Sequence, residues 1–371
     1  MTKLLITGGH LTPAYALVQK ALEQNWVVLF VGRRYSFEHE DTLSVEYQTI
    51  SQLGIPFYNL TTGRLRRFMS WVTVISFFKI PIGFIQSFLI LLREKPDCVL
   101  SFGGYIALPV SFAAFFLRIP VVTHEQTMQP GLANRLIGLV ARKICISWKN
   151  TKHVFSPEKT ILTGNPIRNS VFSIRKKFEL PSSFPILYIT GGSLGSVSIN
   201  QTIAKIIPHL LKTFTVIHQC GSSHERHDFT MLTRLRNSLS PALQKRYLVA
   251  EYIDDDHIGW TLKNAALLVS RSGANTIAEI ISLGKPAVLI PLPWAGLDEQ
   301  RIHARFLSES NAATLLDQDR LNEKTLLDAI KKTYEHKDIL KKNLARLNKD
   351  SILNATDRIM QEITQVISSF S

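Results

Sequence analysis

Short apolar runs alternate with helically spaced stretches along this chain, and the alternation runs through twice. Lys3-Leu4-Leu5-Ile6 reads as a strand, Thr7-Gly8-Gly9-His10 breaks it, and Leu11 to Gln24 carries helical spacing before a second strand at Val27 to Val31. Strand, glycine loop, helix and strand in that order predict a βαβ unit and a parallel sheet. Cys98 to Phe102 then meets Gly103-Gly104-Tyr105, and Pro120 to Thr123 meets His124-Glu125-Gln126. Gly131-Leu132-Ala133-Asn134 opens a helix, and strands over Lys143 to Ser147 and Thr160 to Thr163 close the first set. The pattern restarts at Ile186 to Thr190, followed by Gly191-Gly192-Ser193-Leu194-Gly195 and a helix through Leu211. Val216 to Gly221 and Tyr247 to Ile253 are further strands. The tail from Leu321 is helical, with a last apolar face at Ile352, Ile359, Ile363 and Ile367.

One stretch concentrates polar groups at strand ends. The apolar run at Leu267 to Val269 breaks into Ser270-Arg271-Ser272-Gly273-Ala274 and continues as a helix through Glu279 to Gly284. Ser272 is the expected N-cap and Gly284 the expected C-terminal glycine. Ala287 to Ile290 gives the next strand, and a helix opens on Asp298-Glu299-Gln300. Open α/β sheets bind ligands at such strand ends, and a helix N-terminus favours a phosphate. Glu279, about two turns on, is placed to accept from a ribose diol. The same residues also read as an ordinary capped helix with a solvent-facing glutamate.

Candidate chemistry sharpens this picture only in part. Three glycine loops follow strands, at Gly8-Gly9, Gly103-Gly104 and Gly191 to Gly195, and glycine lets backbone N–H groups approach an anion closely. The third is not a Walker motif, since no Lys-Ser/Thr follows at the required position, and a GxGxxG reading of it fails too. His10 stands at the mouth of a helix, where it reads as a capping residue or as a catalyst. No zinc spacing occurs. Cys98, Cys145 and Cys220 are scattered through apolar runs and read as buried reduced thiols.

Composition adds that the chain is globular and seeks an anionic partner. It has 371 residues, 45% hydrophobic and 19% charged, with a net charge of +14. Nucleic acid, an acidic membrane surface and phosphorylated substrates all satisfy that charge. Its start runs straight into a strand, so no signal peptide is expected. Arg64 to Phe84 sets Arg64, Arg66, Arg67 and Lys79 around Phe68, Trp71, Ile75, Phe77 and Phe78. The uncharged run is too short to cross a bilayer, and Lys79 and Pro81 interrupt it. It fits a segment lying in the interface of an anionic membrane, and equally a core helix pair behind a basic loop.

Taken in order, these motifs resemble the MurG family of N-acetylglucosamine transferases. They are TGGH at Thr7 to His10, GGY at Gly103 to Tyr105, HEQ at His124 to Gln126 and GLAN at Gly131 to Asn134. GNPIR at Gly164 to Arg168, GGSLG at Gly191 to Gly195, EYIDD at Glu251 to Asp255 and RSGANTIAE at Arg271 to Glu279 follow. The chain departs from the family in its short first glycine loop, in Thr127 after HEQ, and in His303 where an Asn is usual.

The resemblance implies an α/β chain of two Rossmann-like domains facing a cleft, the glycosyltransferase B type. It implies an acceptor domain over 1–165, a UDP-sugar domain over 166–345, and a C-terminal helix over 346–371 packing back on the first domain. By the same resemblance, N-acetylglucosamine moves from UDP-N-acetylglucosamine to the muramyl sugar of lipid I, giving lipid II with inversion. Ile253 would hold the uracil, Glu279 the ribose, and Ser193 with Ala274, Asn275 and Thr276 the diphosphate. Arg168 would add positive charge, and Glu299 and Gln300 would face the sugar. Gly8, Gly9, Gly103, Gly104, Tyr105 and Asn134 would meet the lipid-linked acceptor. His10 is the first choice for the base and Glu125 the second. No carboxylates resemble a metal-binding DxD placement, so no metal or other cofactor is expected. The implied partners are the sugar nucleotide, the lipid-linked acceptor and an anionic membrane at the cytoplasmic face, where the protein would be peripheral, and no nucleic acid. The rivals are a UDP-N-acetylglucosamine 2-epimerase of the same fold and a catalytically silent membrane-binding scaffold.

Overall fold

The predicted alternation becomes two parallel sheets in the computed structural model, which describes residues 1–35, 43–63, 71–181, 183–221, 227–350 and 354–370, the side chains of 71–78, 349 and 350 excepted. Packing divides the chain into one unit of Met1–Arg168 with Ile352–Ser371 and another of Asn169–Ser351.

The first unit opens with β1 (Lys3–Thr7), α1 (Leu11–Glu23), β2 (Val27–Gly32), α2 (Val45–Ser51) and β3 (Phe57–Asn59). It continues through α3 (Trp71–Glu94), β4 (Cys98–Ser101), α4 (Gly104–Phe116) and β5 (Val121–Glu125). Helix α5 (Leu132–Val140), β6 (Lys143–Ile146) and β7 (Thr160–Leu162) complete the run. The strands order as β3-β2-β1-β4-β5-β6-β7, all parallel, with Leu5 opposite Leu29 on one side and Val99 on the other. Near-continuous apolar strands are what a sheet covered on both faces requires. Leu4, Ile6, Phe30 and Leu100 point to a layer containing α1, while Leu5, Leu29 and Val99 point to one built by α4 and α5.

Helix α3 departs from the expected pair of helices broken at Pro81, because Pro81 lies inside one continuous helix. A proline removes one backbone donor and strains one turn. Packing of α3 along α4 supplies the tertiary contact that outweighs this cost. The basic cluster Arg64, Arg66 and Arg67 and the side chains of Phe68, Trp71, Ile75, Phe77 and Phe78 lie outside the described residues.

The second unit runs through β8 (Ile186–Thr190), α6 (Val197–Leu210), β9 (Thr215–Gln219), α7 (Asp228–Ser238), α8 (Pro241–Gln244) and β10 (Tyr247–Ala250). Next come α9 (Ile258–Asn264), β11 (Ala265–Ser270), α10 (Ala274–Leu283), β12 (Ala287–Leu289) and α11 (Glu299–Glu309). Strand β13 (Thr314–Leu315), α12 (Glu323–Glu335) and α13 (Lys337–Asp350) end it. Its sheet is parallel in the order β10-β9-β8-β11-β12-β13. Leu187, Ile189, Val269 and Val288 share one core with Ile199, Ile203 and Ile207 of α6 and Leu326 and Ile330 of α12. Cys98, Cys145 and Cys220 are buried and unpaired.

The last helix, α14 (Ala355–Ser368), belongs to the first unit. Its spacing puts Ile359, Met360, Ile363 and Val366 on one buried stripe against the layer that holds α1, with Ile367 at the margin. Lys20 of α1 pairs with Asp357 at 2.7 Å across the same seam. Ile363 is fully buried. Replacing Ile363 with Ala is therefore expected to destabilise the first unit by about 2–5 kcal/mol, the usual cost of an Ile-to-Ala cavity. Urea unfolding of the full chain measures it, and an unchanged midpoint would show that α14 is not part of this core.

Candidate functional site

Strand order reverses once in each sheet, and in each the expected glycine loops flank the reversal. Between neighbouring strands whose connections leave in opposite directions, a crevice opens at the carboxyl ends. In the first unit the flanking strands are β1, which feeds Gly8-Gly9-His10, and β4, which feeds Gly103-Gly104-Tyr105.

Close approach explains the glycines. Gly9 has φ +120°, and a Cβ there would lie 2.8 Å from the carbonyl oxygen of Gly103. Gly103 has φ +77°, and a Cβ there would lie 2.6 Å from the Asn134 amide. A side chain at Gly9 would force the two loops apart, and one at Gly103 would displace Asn134.

His10 occupies the N-cap position of α1 with extended backbone. Its Nδ1 lies 3.2 Å from the Phe102 carbonyl oxygen. A carbonyl only accepts, so in the neutral ring Nδ1 carries the proton and Nε2 keeps its lone pair. Burial lowers the imidazole pKa from its ordinary value, with the charge of Glu125 and the Phe102 hydrogen bond acting in the opposite direction. The half-buried ring is thus biased toward the neutral form, as a base requires.

Glu125 is placed differently from a free base. It is buried, and its Oε1 accepts from the Thr127 amide at 2.9 Å and the Thr127 hydroxyl at 2.7 Å. Its Oε2 accepts from Asn134 Nδ2 at 2.9 Å. Asn134 is buried too, with its Oδ1 accepting from Thr123 Oγ1 at 3.1 Å. Its amide therefore braces the underside of Gly103. Tyr105 receives a hydrogen bond from Arg33 on its hydroxyl, with the guanidinium 5.6 Å from the ring centre. Neighbouring His124 is buried beside Phe102, and burial pushes its imidazole down to about 4.

The Gly9 amide does not face an open anion site. It donates to Glu46 Oε1 at 3.0 Å, while Glu46 Oε2 accepts from the Arg33 amide at 3.0 Å. Burial raises the Glu46 carboxyl, and the two amides and the Arg33 charge pull against it. Neither Glu46 nor Arg33 carries a motif, and nothing in the sequence links Glu46 to a loop 37 residues away.

In the second unit, β8 and β11 flank the reversal, feeding the Gly191 to Gly195 loop and the Arg271 to Ala274 turn. Gly273, not Ser272, is the N-cap of α10, and no side chain caps it. Ser272 is buried and donates from Oγ to the Gln300 carbonyl at 2.7 Å, which draws its hydroxyl away from the helix end. The first turn of α10, at Ala274, Asn275 and Thr276, thus receives no cap from its N-cap residue, and a helix N-terminus suits an anion. Glu279 is half-buried one turn further, and Gly284 ends the helix in the left-handed conformation.

Two side chains to which the sequence assigns no role, Arg271 at the head of its motif and Gln219 outside any, assemble this edge. Arg271 is buried, and its guanidinium donates to the carbonyls of Ile290 and Pro291 at 3.0 and 3.2 Å. It also donates to the hydroxyls of Ser196 and Ser198 at 2.7 and 3.2 Å. Gln219 donates to Thr190 Oγ1 and the Gly192 carbonyl and accepts from the Ile253 amide at 3.1 Å. The Ile253 N–H is therefore committed within the fold. Gln300 Oε1 accepts from the Leu292 amide at 3.1 Å, and buried His303 donates from Nδ1 to the Ser272 carbonyl. Glu299 opens α11 beside it and is half-buried. Ser193 is exposed at the tip of its loop, whereas Arg168 ends the first unit. Among the described residues no three His, Cys, Asp or Glu converge as metal ligands.

Known proteins match this arrangement along its whole length. Residues 7–146 match the glycosyltransferase family 28 N-terminal domain and residues 186–362 its C-terminal domain. The UDP-N-acetylglucosamine--N-acetylmuramyl-(pentapeptide) pyrophosphoryl-undecaprenol N-acetylglucosamine transferase of Lachnoclostridium phytofermentans is 31% identical, covering 99% of both chains. The protein of the same name from Legionella pneumophila strain Paris is 34% identical over 97% of this chain and 94% of that one. The crystal structure of Acinetobacter baumannii MurG covers 98% of this chain and 100% of its own, at 23% identity and a TM-score of 0.69, a likeness of fold. Sequence similarity over nearly the full length therefore places this chain in the MurG family of N-acetylglucosamine transferases, with family 28 glycosyltransferase domains in both halves.

Proposed function

We propose that this protein transfers N-acetylglucosamine from UDP-N-acetylglucosamine to the muramyl sugar of lipid I, making lipid II for peptidoglycan synthesis. The near-full-length relationship to transferases named for that reaction carries the proposal. The acceptor hydroxyl attacks the anomeric carbon, the bond to the UDP oxygen breaks, and the configuration inverts. His10 Nε2 takes the hydroxyl proton, because it holds a free lone pair in a ring kept neutral. Glu125, whose oxygens already accept from Thr127 and Asn134, supports the loops and the charge near His10.

The donor side belongs to the second unit. The α10 N-terminus with Ala274, Asn275 and Thr276, and Ser193 on the neighbouring loop, receive the diphosphate. Glu279 takes the ribose, the backbone at Ile253 the uracil, and Glu299 and Gln300 the sugar hydroxyls. Arg168 adds positive charge. The acceptor meets Gly8, Gly9, Gly103, Gly104 and Tyr105. Incubation with UDP-N-acetylglucosamine and a lipid I analogue tests the assignment. Conversion of the sugar nucleotide to its 2-epimer without acceptor, or no turnover and no UDP binding, would overturn it.

The acceptor's lipid places this enzyme at an anionic membrane surface, peripheral on the cytoplasmic face. No helix among the described residues is long and apolar enough to cross a bilayer. The outer surface of α3, α4 and α5 supports docking instead. Ile85, Leu89, Phe115, Phe116, Leu132 and Leu139 are all more than half exposed there. A groove of about 560 Å³ between Phe115, Phe116, Leu139 and Phe370 is bordered by Arg118, Arg142 and Lys159 and, among the described residues, by no acid. Apolar side chains beside uncompensated cations suit an anionic interface.

Replacing His10 with Ala is expected to lower turnover about 100-fold while leaving UDP affinity unchanged. Because burial lowers the His10 pKa from its ordinary value of 6.5, activity should persist below pH 6.5 and then fall as the ring protonates. Turnover largely retained by the His10 variant would pass the role of base to Glu125.

Replacing Glu279 with Ala should weaken UDP binding by about 1–3 kcal/mol, the range for a lost charged acceptor. Calorimetry giving the parent affinity in a folded variant would remove Glu279 from the ribose.

Replacing Arg118 and Arg142 together with Ser should weaken binding to anionic vesicles by about 2 kcal/mol, at about 1 kcal/mol per basic residue, and added salt should shrink the difference. Co-sedimentation equal to the parent would place the docking surface elsewhere.

A further inference from the structure

A carboxylate outside every motif of the first unit reaches the loop that carries His10. Glu46 lies in the first turn of α2, whose N-cap Ser44 accepts from the Tyr47 amide. Its two oxygens take the amides of Gly9 and Arg33, each at 3.0 Å. One side chain thus ties Gly9, two residues past the end of β1, to Arg33, the residue that follows the end of β2. Gly8 and Gly32 are both cleared for it, since a Cβ at either would fall against this carboxylate. On its other side the loop meets the Gly103 carbonyl, so it is held from two directions.

We infer that Glu46 is a positioning residue for the transfer reaction, fixing the Gly9 peptide from which His10 presents Nε2. The inference rests on the transferase reading with His10 as base. The imidazole is anchored at Nδ1 to the Phe102 carbonyl, and the peptide before it belongs to a glycine at φ +120°. Glycine adopts many orientations, so what its amide bonds to decides where the next residue stands. A misplacement of about 1 Å at a reacting group costs about 100-fold in rate. A carboxylate offers an oxygen to each of the two amides, whereas a glutamine offers one oxygen and turns an NH2 toward the other. Charge and shape are therefore both required at this position.

The test uses the full chain with UDP-N-acetylglucosamine and a lipid I analogue. Glu46→Gln should lower kcat at least about tenfold, with the KM for UDP-N-acetylglucosamine within about twofold of the parent and thermal unfolding still cooperative. Gly8→Ala pushes a methyl group into the carboxylate and should cause a similar loss. Combined with Glu46→Ala, and read without acceptor, it should move the His10 ring resonances no further than Glu46→Ala does, because the obstructing group is gone. The His10 ring resonances, identified by their loss in His10→Gln, should shift in Glu46→Gln whether or not the protein turns over. Parent-like kcat together with unshifted His10 signals in Glu46→Gln would overturn the inference, as would acceptor-free His10 shifts from Gly8→Ala and Glu46→Ala that add. A parent that fails to transfer, with His10 signals that still move in Glu46→Gln, would instead overturn the transferase reading and leave Glu46 as the residue that fixes His10.

Discussion

Two backbones come so close at the ends of β1 and β4 that a methyl group at Gly9 would sit 2.8 Å from the carbonyl of Gly103. The rest of the first site depends on that approach. It brings His10 within hydrogen-bonding distance of Phe102, the residue before Gly103, and so selects the ring tautomer. Supports stand behind both loops: the Glu46 carboxylate on the Gly9 amide, and the Asn134 amide under Gly103. Asn134 in turn is fixed by Thr123, His124 and Glu125, so the acidic residue acts at one remove from the crevice. Buried polar networks of this kind must be satisfied throughout, since each unpaired group costs about 1–3 kcal/mol.

The second unit repeats the plan with different supports. Arg271 joins the ends of β11 and β12 to the start of α6, and all four of its hydrogen-bond partners are neutral. Burial pulls its guanidinium down to about 10, which still leaves it charged at neutral pH. Among the described residues this cation pairs with no carboxylate, and with the N-terminus of α10 beside it this edge carries a positive potential. Gln219 does the equivalent work on the other side, joining β8, β9 and the Ile253 segment. Buried His303 gives Nδ1–H to the Ser272 carbonyl, tying the start of α11 to the turn before α10. Burial pulls that ring down to about 4 and so keeps it neutral, adding no charge to the turn.

How much was legible in advance follows from the range of the interactions involved. Apolar periodicity and glycine placement are local, and they determined the βαβ alternation, the restart near Ile186, the glycine loops at the strand ends and the helix from Ala274 to its stop at Gly284. The ordered motifs from Thr7 to Glu279 determined the family, because many short matches at compatible spacing do not arise from the fold alone. Tertiary structure decided what each polar group bonds to. Ser272 looked like a cap and gives its hydroxyl to Gln300 instead, leaving Gly273 to open the helix. Pro81 looked like a break, yet α3 runs through it. Glu125 looked like a candidate base and has its oxygens occupied, while Glu46, which no motif marks, closes the loop before His10. A carboxylate or an amide pairs with whatever the packed sheet brings within about 3 Å, and that distance is set by chain segments far apart in sequence.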